Sequence, residues 1–306
     1  MGEKLVGERT ELAYGNAGYP EALMTVPSPP ERLYVVGSVD ALVPGLAVIG
    51  ARRATPYGLG CARRFARIAA QKGAVIVSGG ARGCDSEAHR AALEVGGTTV
   101  VFLGGGCDEL YPAAHRRLFQ DIVDAGGAVV SEHPWGFKPL PFTFRARNRL
   151  IAGLAHAVLI VEAGVPSGTF STADEALEAG RDVLVVPGAI TSATSWGSNR
   201  LLLQGATPVV DDESFEDALF RSCGMLKWPD APGALSPEST DDPVIEAVLA
   251  QPLSMDELYG VAVSAYGASN AQAKLMESLV KAEAAGLVAR QANGRWAPVG
   301  DRPSAR

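Results

Sequence analysis

A glycine-rich turn with an arginine inside it is the segment of this sequence best suited to chemistry. Gly79 to Gly83 lies between an apolar run, Val75–Ser78, and a segment with helical spacing, Asp85–Val95. Glycines allow positive φ and let the backbone approach an anion, while the free amides and dipole of the following helix face the same point. Arg82 adds a forked cation. We therefore expect an anion site here, unless the glycines simply close a tight connection.

Three other loops have a similar character and also follow apolar runs. They contain Arg52, Gly104–Gly106 and Ser167–Thr169. None of the four loops continues as Gly-Lys-Ser/Thr, and Gly-x-Gly-x-x-Gly does not open the first strand's helix, so neither ATP nor NAD is expected. We predict no cofactor, no metal site and no catalytic residue.

Alternating strand and helix patterns must position these loops. The predicted strands are Leu46–Ile49, Val75–Ser78, Thr98–Leu103, Ala128–Ser131, Ala157–Glu162 and Asp182–Val186. The predicted helices are Tyr57–Gln71, Asp85–Val95, one after Pro112, one containing Arg147–Arg149, and Thr172–Ala179. This alternation indicates an α/β fold with a doubly wound parallel sheet. The four loops should then meet at the carboxyl edge of the sheet, where such folds bind ligands.

The ends of the chain are less regular. We predict a reduced N-terminal arm over 1–40, in which 1–18 carries little pattern and Arg32–Val39 is an edge strand. The main domain covers 41–222, and a proline-rich linker covers 223–243. In 244–300, three helical stripes, a capping box at Ser254 and a hairpin turn at Asn293-Gly294 predict a small winged-helix domain. Its acidic balance favours packing or partner binding over DNA reading.

The charge is unevenly distributed. The net charge is −7, yet there is no acid between Asp40 and Asp85 or between Glu132 and Glu162. The basic residues of these two blocks are Arg52, Arg53, Arg63, Arg64, Arg67, Lys72, Arg82, Lys138, Arg145, Arg147 and Arg149. Such blocks in an acidic protein predict a polyanion site. The alternatives are a solvated helix face for Arg63, Arg64 and Arg67, and internal pairing of Arg147 and Arg149 with Glu132 and Glu162.

Composition adds bounds on class and location. With 306 residues and 47% hydrophobic residues, the chain can bury a large core. The first residues show no export or lipidation signal, and the longest apolar run, Leu150–Val161, is too short to span a bilayer. We therefore expect a cytoplasmic protein. The four cysteines lack paired ligand spacing, which favours reduced, structural thiols.

In the order of its motifs the chain resembles the DNA-processing protein A family (DprA, also called Smf). The segments that carry the resemblance include Ile49–Arg52, Thr55–Gly58, Ser78–Asp85, Tyr111-Pro112, Ser131-Glu132, Arg147–Gly153, Val161–Ala163, Ser167–Thr169, Val186–Gly188 and Asn199–Ala206. The likeness covers Tyr19 to about Ala218 almost continuously.

The resemblance implies an extended Rossmann-like domain, a homodimer and a basic pocket for single-stranded DNA. It also implies delivery of DNA to the RecA recombinase during natural transformation and recombination, with no known catalytic step. Carried over by position, the pocket residues are Arg52, Gly79, Arg82, Phe144, Arg147, Asn148 and Arg149, with Ser167 nearby.

Two other functions stay open at the level of sequence. Gly168-Thr169 with Glu175 resembles part of a nucleoside-monophosphate phosphoribohydrolase site, in which a buried acid beside Arg147 would act on an N-glycosidic bond. The full Pro-Gly-Gly-x-Gly-Thr loop of those enzymes is not present. A transcription factor that uses the winged helix is disfavoured by the acidity of that domain.

Overall fold

A computed structural model describes residues 4–165, 168–224, 242–250, 253–284, 288–290 and 295–298. The chain divides into two compact units, Met1–Trp228 and Pro229–Arg306. Among the helices in these ranges, none has the length and apolar character needed to cross a membrane.

The first unit is built on a nine-stranded sheet with the order β1-β2-β6-β5-β4-β3-β7-β8-β9. The strands are β1 (Arg9–Ala13), β2 (Arg32–Gly37), β3 (Gly45–Ile49), β4 (Ile76–Ser78), β5 (Thr99–Phe102), β6 (Ala128–Ser131), β7 (Ala155–Ile160), β8 (Asp182–Val185) and β9 (Thr207–Pro208). Strands β3 to β9 are parallel, and β1 and β2 extend the sheet antiparallel beyond β6. The order reverses between β3 and β7, which is the topological switch point of the sheet.

Helices cover both faces of this sheet, as the alternation predicted. They are α1 (Glu21–Met24), α2 (Pro56–Gln71), α3 (Cys84–Glu94), α4 (Arg116–Asp124), α5 (Thr143–Ala146), α6 (Asn148–Gly153), α7 (Thr169–Glu178), α8 (Trp196–Leu203) and α9 (Asp212–Cys223). Alternate residues of β3 enter opposite cores: Leu46 and Val48 pack with α2, α3 and α9, whereas Ala47 and Ile49 pack with α1, α6 and α7. A strand buried on both faces therefore has an unbroken apolar sequence.

Helix α2, which follows the loop that carries Arg52, begins where its local sequence predicts. Thr55 caps it by accepting a hydrogen bond from the Gly58 amide at 3.2 Å, and Pro56 occupies the first turn, where its missing amide costs nothing. Its inner face carries Ala62, Phe65 and three further alanines. These small side chains let α2 pack closely beside the buried alanines of α3.

The predicted core strands and helices are confirmed to within a few residues, but the N-terminal prediction was wrong in two respects. Arg9–Ala13, where no pattern was found, forms the outer strand β1. Strand β2 is consequently not an edge, since it pairs with both β1 and β6. The predicted helix around Arg147 is divided into α5 and α6, with Arg147 between them.

The second unit contains α10 (Pro243–Ala250), α11 (Met255–Tyr266), α12 (Ala271–Ala284) and an antiparallel pair, β10 (Val288–Arg290) and β11 (Trp296–Pro298). Three helices followed by a hairpin is the predicted order. The capping box is confirmed, because Ser254 accepts from the Glu257 amide and the Glu257 carboxylate accepts from the Ser254 amide at 2.7 Å. The turn at Asn293-Gly294 and linker residues 225–241 lie outside the described residues, so the winged helix and the linker stay predictions.

Candidate nucleic-acid interface

The glycine turn after β4 is shaped by positive-φ glycines and by contacts with the loop before α2 and with Asp85. Gly80 has φ +67° and Gly83 has φ +82°, which is backbone that side-chain-bearing residues rarely adopt. A side chain at Gly83 would overlap the Ala51 carbonyl oxygen, so the turn lies directly against the loop that carries Arg52. The Asp85 carboxylate accepts from the Ala81 amide at 3.3 Å. The sequence thus folds two of the predicted loops into one surface.

Arg147 fixes this turn from inside the protein. It is 5% exposed, and its Nη1 donates to the Gly79 carbonyl at 2.6 Å and to the Phe102 carbonyl at 2.5 Å. The guanidinium therefore joins the carboxyl ends of β4 and β5. Burial lowers the pKa of Arg147 to about 10, opposed by the charge of Asp85, so the group stays protonated at neutral pH.

Phe144 provides an aromatic surface beside the turn. Its ring packs on Gly104, where an added Cβ would lie 2.7 Å from Cδ1, and the half-exposed ring is tilted against Tyr111 with centroids 5.3 Å apart. The Arg52 Cζ lies 5.8 Å from the centroid of the Phe144 ring, within the range of a cation–π contact. The glycine at position 104 therefore makes the space that this aromatic ring occupies.

Arg52 and Arg82 are the predicted arginines that face solvent. Both are exposed, and within the described ranges neither forms an ion pair with an acid. With Tyr111 and Phe144 they form what we call the basic–aromatic surface. Guanidinium groups without acidic partners are free to bind phosphate, and the rings are placed to stack on a base.

Arg149 and Asn148 are engaged within the fold. The Arg149 guanidinium binds both oxygens of the Glu132 carboxylate, at 2.9 and 2.6 Å, and also donates to the Ser28 carbonyl at 3.0 Å. This is the internal pairing weighed above for Arg149. Asn148 donates through Nδ2 to the Ser171 hydroxyl at 2.9 Å. Glu162, the other acid of that alternative, instead accepts from the Thr55 amide.

A row of buried polar groups supports the turn. The Nδ1 atom of His115 lies 2.9 Å from the Gly80 carbonyl oxygen. The Nδ1 atom of His89 lies 2.6 Å from the Thr99 hydroxyl, which itself donates to the Ile76 carbonyl. Burial lowers the pKa of His89 to about 3, and burial raises the pKa of Asp85. His89 and His115 were not predicted to support the turn, because their partners are backbone and hydroxyl groups that lie far away along the chain.

The rest of the first basic block is largely neutralised by other helices. Arg63 pairs with Glu87 and Glu94 of α3, and Arg64 pairs with Asp212 of α9. Lys72 pairs with Glu216. The solvated, ion-paired helix face was therefore the correct interpretation for Arg63 and Arg64.

The remaining predictions concern Ser167, Glu175, the cysteines and a metal site. Ser167 lies outside the described residues. The charge of Glu175 acts on Arg149, and burial raises the pKa of Glu175, whereas the acid that acts on Arg147 is Asp85. All four cysteines are free thiols. In the part of the chain that the structure describes, no group of three or more His, Cys, Asp or Glu residues is placed to hold a metal ion.

Comparison with known proteins gives consistent results. The sequence pattern of the DNA recombination-mediator protein A family matches residues 10–219. Protein Smf from Escherichia coli (strain K12) is 38% identical over 279 residues, which cover 90% of this chain and 74% of that protein. DNA processing protein A from Streptococcus pneumoniae has an X-ray structure that is similar with a TM-score of 0.63 and 36% identity, covering 69% of this chain and 74% of that one.

A second solved structure covers nearly the whole of its own chain. DNA processing protein A from Helicobacter pylori, which has a unique single-stranded DNA binding mode, is 33% identical with a TM-score of 0.64. The similarity covers 72% of this chain and 99% of that one. With a match of this extent, the chain belongs to the DNA recombination-mediator protein A family.

Proposed function

We propose that the chain binds single-stranded DNA on the basic–aromatic surface and acts as a DNA-processing protein in recombination and natural transformation. The observation that carries the proposal is the pairing of Arg52 with Phe144. An exposed guanidinium that has no acidic partner among the described residues lies 5.8 Å from the centroid of a half-exposed ring. One group suits a phosphate and the other an unpaired base.

Single strands should be preferred over duplex because stacking on Phe144 requires an unpaired base. Stacking of a base on an aromatic side chain contributes about 1–3 kcal/mol. In a duplex the same base is already stacked and paired, and extruding it costs a few kcal/mol. Phosphate contacts alone do not distinguish the two forms in this way.

The predicted site residues divide into two roles. We assign direct contact to Arg52, Arg82 and Phe144, and we propose that Gly79, which is buried against Arg147, shapes the site from inside. We assign Arg147 to holding the turn, since its guanidinium is buried and bound to two carbonyls. For Asn148, Arg149 and Ser167, contact with DNA stays part of the proposal. An Arg149 contact requires exchange of the Glu132 carboxylate for a phosphate.

Assembly and partners belong to the same proposal. We propose a homodimer through the first unit, which hands single-stranded DNA to RecA in the cytoplasm without a catalytic step. Leu201 of the predicted Leu201–Leu203 patch is buried, but Leu203 is 89% exposed and Trp196, at the start of α8, is 52% exposed. Light scattering should report twice the chain mass for the parent protein. Leu203→Glu should shift it to one chain, and a parent that is monomeric at tens of micromolar would contradict the dimer.

The hydrolase interpretation needs a buried acid beside Arg147, and the acid found there is Asp85, whereas the charge of Glu175 acts on Arg149. If no turnover occurs, incubation with nucleoside monophosphates releases no free base. Base release that Glu175→Ala abolishes would restore that alternative.

The test of binding compares a fluorescent single-stranded oligonucleotide with its duplex at one salt concentration. We expect the single strand to bind at least tenfold more tightly, which corresponds to about 1.4 kcal/mol. Arg52→Ala should weaken single-strand binding, whereas Arg117→Ala should not. Arg117 is a matched control, because its side chain is 88% exposed and lies on α4. Equal affinity for both forms, or equal loss in both variants, would refute the proposed surface.

A further inference from the structure

A cavity of about 450 Å³ is lined by none of the four residues of the basic–aromatic surface. Its walls come from the loops after β3, β7 and β8, and its lining residues are Thr55, Tyr57, Glu162, Pro187, Gly188, Ala189, Ser192 and Ser195. These loops flank the switch point between β3 and β7, where doubly wound sheets bind their ligands. The volume falls within the range of about 300–1,000 Å³ for small-molecule pockets. Position and size both indicate a binding pocket.

Glu162 places a buried carboxylate in the wall of this cavity. It is 2% exposed; its Oε2 accepts from the Thr55 amide at 2.8 Å, and its Oε1 accepts from the Thr55 hydroxyl at 3.0 Å. A side chain at Gly58 would overlap Oε2, so the first turn of α2 leaves room for the group. Each carboxylate oxygen has two acceptor positions, and one of each is filled in this way. Among the described residues, the second position on each oxygen has no partner, and we assign it to a ligand.

Other parts of the cavity wall are held in place by hydrogen bonds within the protein. Tyr57 is 52% exposed, and its hydroxyl donates to the Pro187 carbonyl at 2.7 Å, which fixes the ring beside the cavity. The Asn199 side chain accepts from the Gly188 amide at 3.1 Å and donates to the Gly188 carbonyl at 2.9 Å. A rigid pocket loses little conformational entropy on binding. Three segments that carried the family resemblance, Thr55–Gly58, Val161–Ala163 and Val186–Gly188, thus line this cavity.

The chemistry of the lining defines the ligand. Among the described residues that line the pocket there is no lysine or arginine, so the pocket is unsuited to phosphate. An ionised carboxylate only accepts hydrogen bonds, so the ligand must donate them, and the Tyr57 ring favours a planar group. Guanine presents two neighbouring donors, N1–H and the 2-amino group, on one edge. Thymine has one ring N–H, and adenine and cytosine have one amino group each. Two carboxylate oxygens match the guanine edge best.

The cavity is also within reach of a strand bound at Arg52. Arg52 and Thr55 belong to the loop between β3 and α2, and three residues span at most about 10 Å. A stacked single strand advances about 3.4 Å per nucleotide, so a base a few positions from the one on Phe144 can enter the pocket. We infer that the Glu162 cavity is a guanine-binding pocket that takes an unpaired base of the bound strand. In this form the inference rests on the proposed function.

The experiment measures guanine preference separately from strand binding. Fluorescence anisotropy would compare an all-thymine oligonucleotide with versions that carry one guanine, hypoxanthine or adenine at each position in turn. We expect guanine at one position to tighten binding about tenfold over thymine, and hypoxanthine, which lacks the 2-amino group, to give a smaller gain. Saturation-transfer NMR with free guanosine and thymidine would report on the pocket without a strand.

Two variants tie the preference to the cavity. Glu162→Gln keeps a side-chain oxygen that accepts from the Thr55 amide, but it places an NH2 group against one of the two guanine N–H donors. The tighter binding of the guanine-containing strand should therefore disappear, while affinity for the all-thymine strand is kept. Glu94→Gln, an exposed acid-to-amide change on α3, should leave the gain intact. If Glu162→Gln melts at a lower temperature than the parent, Tyr57→Leu gives an independent reading, since it removes the aromatic wall, together with the hydrogen bond to the Pro187 carbonyl, and leaves Glu162 in place.

Each outcome decides the inference. Thymine binding without a guanine gain and without a guanosine signal overturns the pocket and leaves the proposed function standing. A guanine gain that survives both Glu162→Gln and Tyr57→Leu also overturns it. If no oligonucleotide binds but guanosine binds through Glu162, the proposed function fails and the pocket stands as a site for the free nucleoside. If guanine within the strand tightens binding but free guanosine gives only a weak NMR signal, the pocket is assigned to a base of the bound DNA.

Discussion

The Arg147 guanidinium occupies the space that a side chain at Gly79 would fill. An ideal Cβ built on Gly79 would overlap Nη1 and lie 2.7 Å from Nη2, while Nη1 donates to the Gly79 carbonyl at 2.6 Å. The pair therefore forms a single unit in which the absence of one side chain admits the other. This unit sets the position of the whole glycine turn, because the same Nη1 also binds the end of β5.

We expect Gly79→Ala to destabilise the protein and weaken DNA binding together. The added methyl group must displace the guanidinium from a packed site, and such overpacking costs about 1–3 kcal/mol. The control is Gly60→Ala, at an exposed position in α2 where an added Cβ meets nothing within 4 Å. That change should be neutral or stabilising by about 0.5–1 kcal/mol. Urea unfolding measures the stability of both variants. An unchanged midpoint for Gly79→Ala would show that the contact with Arg147 does not set the position of the turn.

We expect Arg52→Ala to reduce the dependence of single-strand binding on salt. Each lost phosphate contact lowers the magnitude of the logarithmic salt slope by about 0.7 for single strands. Phe144→Ala should instead lower affinity at every salt concentration by about 1–3 kcal/mol with the slope kept, because stacking releases no counterion. Anisotropy titrations at several salt concentrations separate these effects. Folded variants with parental affinity and slope would remove both residues from the site.

We expect Arg149 and Glu132 to be coupled in stability. Both side chains are 13% exposed and joined by two hydrogen bonds, so a cycle of Arg149→Ala, Glu132→Ala and the double variant should give a coupling of about 1 kcal/mol or more. Arg149→Ala should lower the free energy of unfolding more than Arg52→Ala does. If Arg149→Ala weakens DNA binding as strongly as Arg52→Ala with no loss of stability, Arg149 contacts DNA directly.

We expect the protein to lose stability as the pH falls from 7 to 5, in part through His89. Burial lowers the pKa of His89 to about 3 in the folded protein, against an ordinary value of about 6.5. Below pH 6.5 the unfolded chain therefore binds a proton at His89 that the folded chain does not bind. The free energy of unfolding consequently decreases as the pH is lowered. The loss is about 2 kcal/mol between pH 7 and pH 5. His89→Gln should show a smaller fall over this range in urea titrations, and an equal fall would place the titrating group elsewhere.

The sequence carried enough local information for the elements and for the kind of site. Apolar runs such as Leu46–Ile49 can be recognised in the sequence, because a strand buried on both faces requires apolar residues. Glycine turns such as Gly79–Gly83 can be recognised because positive φ favours glycine. Strand β1 could not be predicted in the same way. Its residues, Arg9–Ala13, are mostly polar, and it exists because β2 offers it an unpaired edge.

Tertiary structure alone decided which arginines are available to a ligand. Arg52, Arg63 and Arg149 look alike in sequence, each in a block without acids nearby along the chain. Folding brings Glu87 and Glu94 to Arg63 and Glu132 to Arg149, but leaves Arg52 without an acidic partner among the described residues. Charge pairing depends on distance in space and not on distance along the chain. Composition and motifs therefore predicted that a basic surface exists. The packing of helices on the sheet decided which residues form it.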